Sequence, residues 1–231
     1  MTLKKVVVLS GAGVSAESGL KTFRDYNGLW ENFKIEDVAT PEAFNTNPEL
    51  VLSFYNERRK QLKAAKPNEA HFNLAKLEDE YEVAIITQNI DDLHEKAGST
   101  NVLHLHGELN KAESSKNPRL IYELNHADIK IGDVCEEGHQ LRPHVVWFGE
   151  AVPNMERALR ITAEADIFII IGTSLEVYPA ASLINYTPDY CVKFLIDPNT
   201  PLIRDEKNFT IIKEKASKGT SLLAKKYLKK I

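Results

Sequence analysis

Residues 11–19 read Gly11-Ala12-Gly13-Val14-Ser15-Ala16-Glu17-Ser18-Gly19, directly after an apolar run over 5–10. Gly11-x-Gly13-x-x-Ala16 has the spacing that lets a backbone approach a pyrophosphate, with a helix N-terminus behind it to aim amide donors. The same residues also suit a tight strand-to-helix turn that holds no ligand. Gln88-Asn89-Ile90-Asp91 gathers amide and carboxylate side chains at the end of a second apolar run. Asn and Asp there also suit the N-cap of a helix over 91–97. His104 and His106 stand two apart on a third run, so both face the same side of a strand. A histidine titrating near neutrality can move a proton in catalysis, but either can equally be a satisfied core residue. His94, within the helix over 91–97, is read as structural or exposed.

A hydride-transfer domain reaches a second strand roughly twenty residues after its glycine loop, ending in an acid that holds the ribose. Here the segment is Lys21-Thr22-Phe23-Arg24-Asp25-Tyr26-Asn27-Gly28-Leu29-Trp30. It is aromatic and turn-rich, a poor strand and a suitable mobile cover over a cofactor. A dinucleotide is expected; a dehydrogenase is not.

Taken together, the blocks resemble the sirtuin family. Gly11-Ala12-Gly13-x-Ser15 with Gly19 and Thr22-Phe23-Arg24 resembles its cofactor loop, and Gln88-Asn89-Ile90-Asp91 its nicotinamide and ribose element. Leu103-His104-Leu105-His106-Gly107 resembles its catalytic histidine motif, Arg142-Pro143 through Val146-Trp147-Phe148-Gly149-Glu150 its peptide-pairing strand, and Gly172-Thr173-Ser174-Leu175 a second phosphate and ribose contact. The blocks keep the family's order from residue 11 to about residue 200. The resemblance implies NAD as cofactor, with the acyl oxygen of a modified lysine attacking the ribose as nicotinamide leaves. It makes Asn89 and Asp91 the side chains that hold the nicotinamide amide. His106 becomes the base that relieves a ribose hydroxyl of its proton. Further cofactor contacts implied are Glu17, Trp30, Asp197, Asn199 and Ala216. The acyl-lysine peptide is expected to add a strand by pairing with 147–150 and 175–177, which brings in Val146, Phe148, Gly149, Glu150, Leu175, Glu176 and Val177.

Sirtuins commonly carry two Cys-x-x-Cys pairs between the His-Gly motif and the Arg-Pro strand. This chain has only Cys135 there, which cannot build a tetrahedral thiolate site. A mixed site from Cys135 and His139 with His126 or His144 fits no strong zinc spacing. The expectation is no metal and a lobe stapled by apolar contacts from Leu120, Ile121, Tyr122, Leu124, Ile129 and Ile131.

The pattern over 48–63 predicts a helix with Val51, Phe54, Tyr55, Arg58 and Leu62 on one apolar face, and with Arg59, Lys60 and Lys63 reaching solvent. A guanidinium in that face needs an anion, either an internal acid such as Glu36 or Asp37, or a ligand. Tyr55-x-x-Arg58 resembles the class III sirtuin motif that reads the carboxylate of succinyl- or malonyl-lysine, and Ala39 the small residue that widens that acyl pocket.

The elements that must position these residues alternate. Strands are expected over 5–10, 82–87, 102–105, 166–172, 191–197 and 209–212, and helices over 48–63, 68–80, 154–165 and 217–229. That alternation predicts an α/β fold, a doubly wound parallel Rossmann-like sheet with a second, smaller lobe built from two insertions. The region between the first two strands reads as loop and helices only, and 108–144 as a polar stretch of weak periodicity. One catalytic domain over 1–231 follows, with a large lobe of about 1–30, 66–107 and 145–231 and a small lobe of about 31–65 and 108–144. The net charge of -4 argues against an obligate nucleic-acid partner. The run from Val6 to Leu9 is too short for a signal-peptide core or a membrane span. Two cysteines make no disulfide framework, so a cytoplasmic setting is expected. The resemblance implies acylated-lysine proteins or peptides as partners, and a monomer is expected. The alternatives are an NAD-dependent protein ADP-ribosyltransferase, whose acceptor would gain mass, and a non-catalytic NAD-sensing module, which would release no nicotinamide.

Overall fold

The computed structural model describes residues 2–20, 29–30, 33–175, 177–199 and 208–228, with backbone alone at 29–30. Thr22, Phe23, Arg24 and Glu176 lie outside the described residues, as does the side chain of Trp30. In chain order the described strands are β1 (Lys5–Ser10), β2 (Leu29–Trp30), β3 (Phe33–Lys34), β4 (Glu82–Thr87), β5 (Val102–His104), β6 (Gly107–Ser114), β7 (Ile121–Glu123), β8 (Leu141–Val145), β9 (Ile167–Ile171), β10 (Val192–Ile196) and β11 (Phe209–Ile212). The α-helices are α1 (Ile35–Val38), α2 (Pro41–Thr46), α3 (Pro48–Ala64), α4 (Glu69–Ala75), α5 (Leu93–Lys96), α6 (Met155–Thr162) and α7 (Ala216–Leu222).

Nearly continuous apolar runs form strands covered on both faces. The six expected ones pair in parallel in the order β11-β10-β9-β1-β4-β5, and every residue of β9 is buried. The sheet is therefore the doubly wound one anticipated. From β1 the chain builds outward through β4 and β5, then returns to β9 on the other side of β1. The crevice outside the carboxyl ends of β1 and β9 is thus a topological switch point, where open α/β sheets bind ligands.

Helix starts follow their caps. The Thr40 hydroxyl accepts from Ala43 N–H at 3.0 Å and the Asn47 amide oxygen from Leu50 N–H at 3.1 Å, with Pro41 and Pro48 in the first turns of α2 and α3. The helix expected over 68–80 is α4 followed by a 3-10 turn, Lys76–Asp79. The one expected over 217–229 is α7 continued by a π turn, Leu223–Tyr227.

Three expectations are corrected. The glycine loop runs not into an α-helix but into two 3-10 turns, Ala12–Val14 and Ala16–Ser18, ended by Gly19 in the left-handed region. The first insertion is not helix and loop alone, since β2 and β3 make a short antiparallel hairpin. The polar stretch over 108–144 contains a three-stranded antiparallel sheet in the order β7-β6-β8. Its period was hidden because the β6–β8 register shifts between Gly107 and Ala112, so the buried residues Leu109, Ala112 and Ser114 are spaced three and then two apart.

This small sheet packs on α1 to α3. Leu109, Ala112, Ile129, Val145 and Trp147 share one core with Val38, Phe44, Val51, Phe54, Tyr55 and Leu62, so the two insertions meet. Of the apolar contacts anticipated there, Ile129 is buried and Leu124 partly so, while Ile121 and Ile131 are exposed at 46% and 51%. Ile121 lies on the edge strand β7 and points outward. Arg59 is corrected too: it is fully buried, donating to the Leu109 carbonyl at 2.9 Å and the Asn56 side chain at 2.7 Å, and burial lowers its pKa to about 10. With α3 covered on more than one side, a single-stripe helical wheel misplaces it.

No α-helix among the described residues is long and apolar enough to cross a membrane. The Cys135 thiol donates to the Ser114 hydroxyl at 3.3 Å, and His144 Nδ1 meets Glu113 at 2.6 Å. Among the described residues no group of three or more His, Cys, Asp or Glu could hold a metal ion, so the residues present do not fit a zinc ribbon. Treatment with a strong chelator should leave the melting temperature unchanged. One tightly bound zinc per chain in protein purified without added metal would contradict this.

Candidate active site

Backbone meets backbone at the switch point. Gly11 N–H donates to Ile171 O at 3.0 Å and Gly13 N–H to Gly172 O at 2.8 Å. A Cβ on Gly11 would lie 2.7 Å from Thr173 Cβ, one on Gly13 would lie 2.7 Å from Gly172 Cα, and Gly172 itself has φ +63°. The glycines are required by this contact between loops, independently of any ligand. Gln88, at the end of β4, reaches across to donate to the Thr173 hydroxyl at 3.2 Å.

Below this contact lies a buried polar cluster. The Ser15 hydroxyl donates to Asp91 Oδ2 at 3.0 Å and accepts from Asn89 Nδ2 at 3.2 Å, while Asp91 Oδ1 accepts from Leu93 N–H at 3.2 Å. Asp91 therefore also orders the turn into α5, as a capping residue would. Burial raises its pKa against these donors. His71 Nδ1 accepts from Asn68 N–H at 3.2 Å, which leaves Nε2–H facing Ser15 Oγ at 3.5 Å, and burial drops its pKa to about 4. His94 is fully buried with Nε2 2.9 Å from Ser10 Oγ, so its structural reading holds.

The two histidines of the Leu-His-Leu-His run differ in what their nitrogens meet. His104 Nδ1 lies 2.9 Å from Asn89 O and Nε2 lies 2.8 Å from Glu95 Oε1. Both partners are acceptors, so both nitrogens must donate. Burial opposes the resulting charge most strongly, but the Glu95 and Asn89 contacts outweigh it and the pKa is raised. His106 makes one such bond, with Nδ1 donating to Gln88 O at 3.0 Å. Its Nε2 therefore carries a lone pair, and burial, partly offset by that bond, lowers its pKa. Geometry thus separates a spent histidine from one that can accept a proton. Gly107 is required beside it because a Cβ there would land on the His144 carbonyl oxygen, while Val146 N–H donates to His106 O at 2.9 Å.

Tyr55 and Arg58 are both buried on α3. The Arg58 guanidinium stands 5.9 Å from the Phe54 ring centre, and the Tyr55 phenol oxygen accepts from Trp147 Nε1–H at 3.1 Å. Phe148 N–H donates to Ala39 O at 3.0 Å, joining the expected peptide strand to the expected acyl pocket; Phe148 and Gly149 are exposed. The Glu150 carboxylate is engaged internally, accepting from Arg142 at 2.7 and 3.0 Å and from Trp147 N–H at 2.7 Å.

Ala12 lies in the first 3-10 turn of the loop, and Glu17 accepts from Ser217 N–H at 3.0 Å beside Ala216. Ile90 O takes a bond from Leu109 N–H at 2.8 Å, and Asp197, at the end of β10, accepts from Asn199 N–H at 2.8 Å. Ser174 is half-buried, Leu175 has φ +59° with its N–H on Thr173 Oγ1 at 3.3 Å, and Val177 O accepts from Ala181 N–H at 2.9 Å. The sequence placed Arg142 and Trp147 only in the peptide-pairing block and gave none of their internal contacts, and it passed over His71. The available signal for His71 was Asn68-x-x-His71, a capping-box spacing realised at the start of α4.

The result is an α/β protein with a polar, glycine-lined crevice at the switch point of its sheet and a histidine, His106, whose Nε2 carries a lone pair. The model of the Sir2 family matches residues 11–179, so the chain belongs to the Sir2, or sirtuin, family. It is 51% identical over 226 residues to an NAD-dependent protein deacylase of Bacteroides thetaiotaomicron, covering 96% of this chain and 97% of that one. Among solved structures, a Sir2 homologue in complex with NAD superposes with TM-score 0.86 at 39% identity, over 96% of this chain and 88% of that one. A mutant Sir2 homologue with 2′-O-acetyl-ADP-ribose gives 0.87 at 37% identity, over 99% and 93%.

Histidine NMR titration checks the assignment of the two nitrogen environments. His104 should titrate above the ordinary value of 6.5 and His106 below it. The reverse order would contradict it.

Proposed function

We propose that this chain, an NAD-dependent protein deacylase, acts on lysines carrying short acidic acyl groups, succinyl and malonyl ahead of acetyl. Nicotinamide and O-acyl-ADP-ribose are its further products. The observation that carries the acyl preference is the burial of Tyr55 and Arg58 one turn apart on α3, in a wall that includes Phe54 and Trp147. A carboxylate arriving there meets a guanidinium away from bulk water, where a charge-assisted hydrogen bond is worth about 1.5–3 kcal/mol.

The crevice fits NAD by its donor set. Close-packed glycine backbone, the Thr173 and Ser15 hydroxyls and the Asn89 amide converge at the carboxyl ends of β1, β4 and β9, and Asp197 lies at the end of β10. NAD supplies a ribose carbon from which nicotinamide departs. Ser15 holds Asn89 and Asp91 in one orientation, and that pair grips the nicotinamide amide. His106, neutral with its Nε2 lone pair, takes the proton from a ribose hydroxyl. The Phe148 carbonyl and Gly149 pair with the peptide, while the Phe148 N–H bond to Ala39 O sets Ala39 beside the path of its lysine. Thr22, Phe23, Arg24, Trp30 and Glu176 complete these contacts in the proposal. The whole chain works as one catalytic domain, as a monomer in the cytoplasm, with no obligate nucleic acid and no structural zinc. Two buried free thiols and the net charge of -4 support that setting.

Replacing His106 with Ala should preserve folding and NAD binding and cut deacylation on the order of 10²-fold or more. Activity within a few-fold of wild type would remove it from the mechanism. Because its pKa is lowered, the base form persists at neutral pH. The rate should be flat through neutrality and fall on the acid side, as pH drops through that lowered pKa. Arg58→Met should lower the ratio of desuccinylation to deacetylation by roughly 10- to 100-fold, the loss of one or two charge-assisted bonds. Parallel loss of both activities would make Arg58 structural and withdraw the acyl preference.

A further inference from the structure

The acidic-acyl reading uses Tyr55 and Arg58 and leaves Trp147 unexplained. Trp147 follows β8, in the sheet of the second insertion, yet its buried indole reaches the phenol of a helix in the first. An indole N–H can only donate, and this one donates to Tyr55 Oη at 3.1 Å. A phenol oxygen that accepts along one direction must send its own proton along another.

The indole is held on two sides. The Arg142 guanidinium lies 3.4 Å from its ring centre, and Phe44 packs against it at 5.3 Å between centroids. Arg142 is in turn fixed by both oxygens of Glu150, one of which also accepts from Trp147's own N–H at 2.7 Å. One carboxylate therefore sets both the backbone of Trp147 and the cation stacked on its face. The indole N–H has little freedom to leave Tyr55.

We infer that Trp147 is a specificity-determining positioning residue: by occupying a lone pair of the Tyr55 phenol, it turns the phenol proton toward the carboxylate of a bound acidic acyl group. The inference rests on the acidic-acyl reading of Tyr55 and Arg58. An acetyl group offers no carboxylate to that proton. Loss of the indole N–H should therefore move the ratio of the two activities, whereas loss of packing alone lowers both together.

The test is a double-mutant cycle on one peptide carrying succinyl- or acetyl-lysine, reading the ratio of the two kcat/KM values. Trp147→Phe should lower the succinyl-to-acetyl ratio by about threefold to tenfold, the scale of one neutral hydrogen bond. Added to Tyr55→Phe, it should lower the ratio no further. Incorporating 3-benzothienylalanine at position 147 puts sulfur in place of the N–H with little change of shape, and should give the same loss even where Trp147→Phe fails to fold. If Tyr55→Phe lowers the ratio while the benzothienyl variant leaves it unmoved, Trp147 does not act through Tyr55. If the two losses multiply, the inference fails as well. If Tyr55→Phe itself leaves the ratio unmoved, the acidic-acyl reading falls and takes this inference with it.

Discussion

Where β1 and β9 end, two stretches of main chain touch with no side chain between them. Gly13 N–H donates to Gly172 O, and a Cβ on either residue would strike the other loop. That approach sets the depth at which the loop over 11–19 sits against the sheet. It delivers Ser15 to Asn89 and Asp91, and it brings Thr173 within reach of Gln88 from β4. Gln88 O in turn fixes the tautomer of His106. The glycine-on-glycine contact thus sets the Ser15 and Thr173 sides of the crevice, while the pairing of β4 with β5 sets Gln88 and His106.

A second constraint joins the expected peptide strand to the proposed acyl pocket. Arg142, between two acids and over an indole, is the shared member. It pairs with Glu150 on the expected docking strand, lies near Glu113 of β6 at 3.4 Å, and stacks on Trp147 beside Tyr55. Truncating a buried ion pair on one side leaves an uncompensated charge, so these residues rise or fall together. The two insertions are thus joined by polar geometry as well as by their common apolar core.

Much of this was legible in the residues. Short apolar runs rich in β-branched residues and bounded by Gly, Asn, Asp or Pro read as strands buried on both faces, so the sheet was readable, as was the glycine loop after its first strand. The Leu-His-Leu-His-Gly run left two histidines as candidate bases, the family resemblance favoured His106, and the carbonyl and carboxylate partners of His104 supply a physical reason for that choice. The small sheet was hidden because a register shift breaks the alternation of β6. Arg59 was misplaced because a helical wheel assumes one buried stripe, whereas α3 is covered on more than one side. The Trp147–Tyr55 bond joins positions 92 residues apart, and no local pattern announces such a contact.

In the proposed function the crevice and the α3 pocket act on one substrate, an acidic acyl-lysine consumed with NAD. The most direct measurement is mass spectrometry of one peptide carrying acetyl, malonyl, succinyl or glutaryl on the same lysine, with and without NAD. Acyl loss should require NAD, nicotinamide and the matching O-acyl-ADP-ribose should appear, and succinyl and malonyl should be removed faster than acetyl. A peptide that instead gains the mass of ADP-ribose, or acetyl removed faster than either acidic group, would contradict this proposal.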